Sequence, residues 1–362
     1  MKRSGHEVFQ FEGGEPFAPT PQAIKDACTQ ALLENKTRYA PSSGIPELLQ
    51  ALAEKLYKKN NLVVDPSQII VVAGGMHGLF AAFQAVLNQD EEVLLFSPYW
   101  TPTKDLISMT GGKTVLINSL RARSEGITAT LKAQLTKRTK LLCLASPQNP
   151  TGLVWTREEM VEIANFVKEQ NLLVISDEAY EDLVYDGQHV SIASLPDMYR
   201  RTLSTFTFSK SYSMTGWRLG YAVAPEPFIT GMKQSVLYST NGVSTPTQWA
   251  GLAAIKICEG FISDNLGEYR RRRDMLVEGL CELGFECEPP AGAFYAFPKI
   301  SKELEKYGKT SRDFANFLLE KATIATVPGN VFGPDGEGHL RFSYSVPIET
   351  IEAGLEALKK VL

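Results

Sequence analysis

Histidine is scarce in this chain. His6, His77, His189 and His339 are its 4 in 362 residues, scattered too widely to suggest a shared metal ion. Cysteine is little more abundant: Cys28, Cys143, Cys258, Cys281 and Cys287 are odd in number and have no CxxC spacing, which argues against a zinc site and a disulfide framework. Reduced thiols and a cytoplasmic location are the expectation, with Cys143, inside the run LLCLA, a small buried hydrophobe. No apolar run approaches the ~18 residues that would suggest a membrane span. The opening MKRSGHEVFQFEGG lacks the apolar segment of a secretory leader. Excess positive charge is missing too, since 37 Lys and Arg against 41 Asp and Glu leave a net charge of -4. With no basic patch interleaved with aromatics, neither nucleic acid nor a membrane is an expected partner. The one basic run, Arg270 to Arg273, precedes Met275, Leu276 and Leu280 and reads as the solvated face of a helix. Repeats and low-complexity tracts are absent.

What remains is ordinary for a globular enzyme, 44% hydrophobic and 22% charged, and long enough for one large domain and a smaller one. Amphipathic stretches alternate with short apolar runs. Strands are expected at 69–73, 93–96, 114–117, 141–144, 172–176, 202–206 and 219–223, and helices at 47–58, 76–87 and 157–169. Pro46 suits a first helical turn and Thr156 an N-cap. Continuous apolar strands alternating with helices predict an α/β sheet, mainly parallel and covered on both faces. Beyond about residue 245 the pattern changes to a long helical region over 249–283, short strands at 293–297 and 340–345, and a closing helix over 348–361, which predicts a second, smaller α+β part.

In open α/β sheets, ligands bind beyond the carboxyl ends of the strands. Gly74-Gly75-Met76 follows the first strand and opens a helix, a turn where the backbone can approach an anion and free N–H groups face it. It lacks the GxGxxG spacing of a dinucleotide turn. Trp100, in Ser97-Pro98-Tyr99-Trp100, can stack on a flat heteroaromatic ring or serve as core. Asn149 lies between two prolines in SPQNPTG, as a fixed donor or part of a plain turn. Asp177 ends an apolar strand, where an acid is costly to bury unpaired; against a pyridine nitrogen it would keep that ring protonated as an electron sink. Tyr180, three residues on, could bond the same phenolic oxygen as Asn149. Finally, TFSKSYSMTGWRLGY (Thr207 to Tyr221) sets Lys210 among hydroxyls, eight residues before Arg218. A desolvated lysine near other cations can attack a carbonyl to form a Schiff base, while Thr207 and Arg218 are residue types that hold a phosphate. An aldehyde beside a phosphate describes pyridoxal 5'-phosphate. Each segment alone also reads as a surface lysine, a core tryptophan or a turn; their order at successive strand ends has no such shared alternative.

From GGEPFAPTP (Gly13 to Pro21) through SPQNPTG, SDEAY and SKSYSMTGWRLGY to LRFSYS (Leu340 to Ser345), the chain resembles the class I/II aminotransferases of pyridoxal-phosphate fold type I, in particular their bacterial aspartate/aromatic-type subgroup. The resemblance implies a large domain over 30–260, with a mainly parallel seven-stranded sheet covered by helices, and a smaller α+β domain from 1–29 and 261–362. It implies that Lys210 is the Schiff-base lysine and moves the proton between the substrate Cα and C4' of the cofactor. Asp177 then partners the pyridinium, Asn149 and Tyr180 donate to the phenolic oxygen, and Trp100 stacks on the ring. Gly75, Met76, Thr207 and Arg218 form the phosphate cradle, and Tyr39 reaches the phosphate from the neighbouring subunit of a homodimer with shared sites. Arg341 forks the substrate α-carboxylate, helped by the Gly14 backbone and Asn149, with Trp100 also facing the substrate. The implied reaction carries an amino group from an L-amino acid to a 2-oxo acid such as 2-oxoglutarate, with ping-pong kinetics.

Two departures from the family pattern stand out. The segment before Gly14, which in relatives packs on the partner and helps cover the site, is short here, so either the site is more open or the start of the chain has been cut or assigned late. Met76 stands where aspartate-using members often carry a lysine for the distal carboxylate. An unpaired carboxylate in a dry site is costly, so a neutral or aromatic amino donor is expected. The same fold and cofactor also run β-elimination as C–S lyases, which release pyruvate and ammonia without a 2-oxo acid acceptor. A non-catalytic regulator on this fold would need a fused DNA-binding module, for which the chain has neither spare residues nor basic charge.

Overall fold

The computed structural model describes residues 8–362; residues 1–7, which include His6 and the start of the expected small domain, lie outside them. Seven apolar runs form the central sheet: β1 (Ile69–Val72), β2 (Glu92–Ser97), β3 (Lys113–Asn118), β4 (Thr139–Ala145), β5 (Leu173–Asp177), β6 (Thr202–Thr207) and β7 (Gly220–Val223). Their order is β1-β7-β6-β5-β4-β2-β3. Every neighbouring pair is parallel except the two that involve β7.

The sequence dictates this sheet because β1, β2 and β7 are buried at every position, which requires apolar residues on both faces rather than alternation. Successive side chains then enter opposite layers. Leu95 and Val72 pack with Leu79, Phe83 and Met232 from the helices Gly75–Val86 and Phe228–Thr240. Leu94 and Phe96 pack on the other side with Met160, Ile163 and Val167 from the helix Arg157–Glu169. That helix starts where Thr156 and Glu159 form a reciprocal capping box, which satisfies two otherwise unpaired N–H groups. Ile69, Val71 and Tyr221 pack with Leu52 and Leu56 of the helix Pro46–Asn60 and with Ala250 and Ala254 of the helix Thr245–Ile257.

Register aligns the strand ends that matter. Ala145 lies opposite Asp177, Asp177 opposite Thr205, and Gly220 opposite both Thr207 and Val72. The closing part of the chain has its own core, built on Phe11, Phe294, Phe314, Phe342 and Ile351. It surrounds a small antiparallel sheet of Val327–Pro328, Leu340–Ser343 and Tyr295–Ala296. The strand Phe9–Gln10 runs parallel to Ile324–Ala325, while the helix Gln22–Leu33 packs through Ile24 in the same core as Val71, Ala250 and Ala254.

Two sequence expectations need correction. The helical region over 249–283 is two helices, Thr245–Ile257 and Glu259–Glu282, broken at Cys258 with φ -111° and ψ 23°. The second helix starts in the same core as the first, through Ile262, and then crosses to the C-terminal core with Tyr269, Leu276 and Leu280. The Arg270–Arg273 run is not wholly a solvated face, because Arg272 and Arg273 are buried. The Arg272 guanidinium stacks 3.8 Å from the Phe17 ring centre and bonds the Glu268 carboxylate and the Val346 carbonyl. Arg273 bonds Asp186 at 2.5 Å and the Pro290 carbonyl at 3.1 Å. Helical spacing placed all four on one polar run; packing of the helix against neighbouring chain on two sides claimed two of them. No helix among the described residues is long and apolar enough to cross a membrane.

Candidate active site

The carboxyl ends of β1, β4, β5 and β6 open on one cleft of about 470 Å³. Of the residues singled out in the sequence, Gly14, Gly75, Met76, Trp100, Asn149, Asp177, Tyr180, Thr207, Lys210, Arg218 and Arg341 line it together. Tyr39 does not. It is 90% exposed and sits beside Thr240, Asn241 and Gly242 in a separate shallow groove.

Lys210 lies on a short helical turn, Phe208–Ser211, that starts where the Thr207 hydroxyl accepts the Ser209 N–H at 3.1 Å. The turn aims the lysine into the cleft, where Nζ donates to the Gly14 carbonyl at 2.5 Å. Burial, with the Arg341 and Arg218 cations nearby, lowers its pKa to about 8 against the pull of Glu15 and Asp177. A neutral amine is therefore accessible near physiological pH. Asp177 ends β5 with its carboxylate accepting the Ala179 N–H at 3.1 Å. Burial pushes it up to about 6 against the pull of Lys210, so a cation placed directly on its carboxylate would be stabilised.

At one end of the cleft, Gly74 takes φ 85° and hands the chain to the helix that begins at Gly75. A Cβ at Gly74 would stand 2.6 Å from Arg218 Nη2, so the guanidinium lies against the bare turn. Arg218 is held there by its bonds to the Thr215 and Ala73 carbonyls, at 2.7 and 3.3 Å. Gly220 serves the same approach, since a Cβ there would stand 2.7 Å from the Phe206 carbonyl oxygen and 2.9 Å from the Gly74 carbonyl carbon. A helix N-terminus, the hydroxyls of Thr207 and Ser209, and a guanidinium make a phosphate-binding donor set.

At the other end, Arg341 is buried in the strand Leu340–Ser343. Its Nη1 donates to Asn149 Oδ1 at 2.9 Å and its Nη2 to the Glu12 carbonyl at 2.8 Å, while Nε is buried without a partner. Two neutral acceptors leave its charge uncompensated, which suits a carboxylate. Met76, 43% exposed, stands at the lip and offers no charge.

The phosphate-type end, a carboxylate seeking a cation, a poised lysine and a carboxylate-type end therefore fit the pyridoxal group and an amino acid across its aldehyde. Four polar lining residues escaped the sequence reading: Glu15, Ser209, Thr215 and Tyr295. Ser209 and Glu15 lie inside motifs quoted above, beside residues that were read for function. Tyr295 lay in a stretch read only as a strand, and nothing local marks it. Its hydroxyl stands 2.8 Å from that of Tyr180, 115 positions away.

Known proteins resemble this chain along its length. The family model for aminotransferase class I and II matches residues 7–358. The probable aspartate/prephenate aminotransferase of Aquifex aeolicus is 42% identical, covering 100% of this chain and 93% of the relative. Among solved structures, an aromatic aminotransferase from Pyrococcus horikoshii superposes with a TM-score of 0.94 at 37% identity, covering 98% of this chain and 95% of that one. A Thermus thermophilus aspartate aminotransferase with maleate gives a TM-score of 0.94 at 38% identity, covering 100% of this chain and 93% of the other.

Proposed function

The chain belongs to the class I and II aminotransferase family and is an aminotransferase, and from that premise we propose that it works with pyridoxal 5'-phosphate held by the cleft residues described above. When bound, that group supplies an electron sink conjugated to the Cα of the amino acid, which makes the Cα proton removable. Gly75, Met76, Thr207 and Arg218 would hold its phosphate, Asp177 would keep a proton at the ring nitrogen, and Trp100 would offer its ring for stacking. Asn149 and Tyr180 donate to the phenolic oxygen. Arg341, with Asn149 and Gly14, would fix the substrate carboxylate and so present the Cα–H bond to Lys210.

Lys210 then acts as the positioned base. Its lowered pKa near 8 gives an amine able to accept the Cα proton and return it on the other side of the transfer, a contribution of roughly 10²–10⁴-fold. One cleft serves the amino acid and the 2-oxo acid in turn, so the kinetics are ping-pong. The single observation that carries the reading is the convergence of Lys210, Asp177, Arg218 and Arg341 on one cleft.

For the amino donor we propose a neutral or aromatic L-amino acid, with 2-oxoglutarate as an acceptor. The lining cations are Lys210, Arg218 and Arg341, and each already has a task. Glu15 adds negative charge at the mouth, and Met76 cannot pair with a distal carboxylate. We further propose that residues 30–260 form a large domain and 1–29 with 261–362 a smaller one, and that two copies share their sites through Tyr39.

The test is the absorbance of the protein with pyridoxal 5'-phosphate before and after a panel of amino acids. A Lys210-dependent band that bleaches with the donor and returns with 2-oxoglutarate is expected, and its rate ranks the donors. Aspartate emerging as the best donor by kcat/KM would overturn the substrate proposal. Pyruvate and ammonia accumulating without an acceptor would replace transfer by elimination.

A further inference from the structure

Tyr295 has no task in the reading above, yet it touches three of its members. Its hydroxyl is 2.8 Å from that of Tyr180. The Arg341 guanidinium lies 4.3 Å from its ring centre. A Cβ at Gly14 would come within 3.2 Å of the same hydroxyl. The residue is 1% exposed, packs on Phe294 at 4.7 Å between ring centres, and sits opposite Ser343 on the strand that carries Arg341. Its position is therefore fixed by backbone pairing as well as by packing.

A phenol has one hydrogen to give. In a buried pair of phenols, one donates to the other, and the acceptor keeps its own hydrogen for a third group. Among the described residues neither hydroxyl has another hydrogen-bond partner in the protein. We infer that Tyr295 is a positioning residue: it donates to Tyr180 and so leaves the Tyr180 hydrogen aimed into the cleft. This rests on the reading that places the cofactor's phenolic oxygen there. The opposite polarity would turn Tyr180's hydrogen away from the cleft and leave that of Tyr295 without an acceptor. Donation also polarises the Tyr180 O–H and strengthens it as a donor. The Tyr295 ring, a separate part of the same side chain, is the platform on which the Arg341 guanidinium rests.

The experiment loads the parent chain, Tyr295→Phe, Tyr180→Phe and the double variant with pyridoxal 5'-phosphate and titrates the Lys210-dependent absorbance with pH. A donor to the phenolic oxygen favours the deprotonated chromophore, where negative charge on that oxygen is greatest. Tyr295→Phe should therefore raise the titration midpoint by about half to one unit, the effect of one ordinary hydrogen bond. The KM for the amino acid should stay close to the parent's, because the ring beneath Arg341 is kept. Tyr295→Leu, which removes the ring, should raise that KM several-fold. Tyr180→Phe should raise the midpoint at least as far, and the double variant should match Tyr180→Phe alone, since one residue acts through the other. A Tyr295→Phe midpoint equal to the parent's, even with a lowered Tm, would reduce Tyr295 to packing and overturn the inference. So would a double variant shifted beyond Tyr180→Phe. A parent chain with no Lys210-dependent band would instead bring down the cofactor reading and this inference with it, and is recognised by the parent spectrum alone.

Discussion

Burial holds the Asp177 carboxyl up at about 6, so without the cofactor its ionisation opposes folding. The folded value exceeds the ordinary one, and the folded state therefore binds this proton more tightly. The resulting stabilisation is complete below about pH 4 and is lost as pH rises through about 6. Asp177→Asn removes that dependence. In thermal melts of the cofactor-free protein, the variant should gain up to about 3 kcal/mol over the parent at pH 7.5, and the gain should vanish near pH 4. Activity of the same variant should fall by orders of magnitude, so stability and function move in opposite directions. Lys210 titrates with the other sign, since burial and then Arg341 pull it down to about 8. Stopped-flow uptake of pyridoxal 5'-phosphate should accelerate through about pH 8 and level off above it, and Arg341→Leu should move that midpoint upward. Residues such as Lys210, Asp177 and Arg218 were legible in the sequence because their neighbours along the chain reveal their setting. Tyr295 was not, because its partners Tyr180 and Arg341 reach it only through folding.

At the scale of elements, the seven strands were legible because burial on both faces demands unbroken apolar runs, and the structure moved their ends by one or two residues. Several helices were not. Phe228–Thr240 carries a glycine, three hydroxyl residues at its end and several β-branched residues, a composition with weak intrinsic helix preference. Its helicity comes from Ile229, Met232 and Val236 packing beneath the sheet, which no local pattern announces. The turn between β1 and its helix makes a sharper claim. Gly74→Ala would drive a methyl group into Arg218 Nη2, at 2.6 Å, in a backbone conformation that L-residues avoid. Its affinity for pyridoxal 5'-phosphate, by equilibrium titration, should weaken by about tenfold or more, equivalent to about 1.4 kcal/mol. An affinity equal to the parent's would show that Arg218 can leave the turn without loss.

At the scale of the whole molecule, Tyr39 lies outside the cleft and 90% exposed, consistent with service to a second copy. Mixing Tyr39→Phe chains with Lys210→Ala chains tests this directly. If sites are shared, each hybrid pair holds one site with both residues intact, and activity should rise above the mean of the two parents. If Tyr39 serves its own chain, mixing should recover nothing. The change of pattern near residue 245 announced the C-terminal helices and the short antiparallel strands that build their own core. The pairing of Phe9–Gln10 with Ile324–Ala325 was not legible, because two residues of strand carry no local signal of so distant a partner.

The bond from Arg341 Nη2 to the Glu12 carbonyl joins positions 329 apart, and this has a meaning for biosynthesis. Translation proceeds from the N-terminus, and domains tend to fold as they emerge. The glycine turn, the lysine and Arg218 are all made before the strand that bears Arg341. A chain released early would hold Lys210 without the Arg341 cation that helps to lower its pKa. The order of synthesis thus completes the reactive amine and the carboxylate-type end of the cleft together, when the last strands are made.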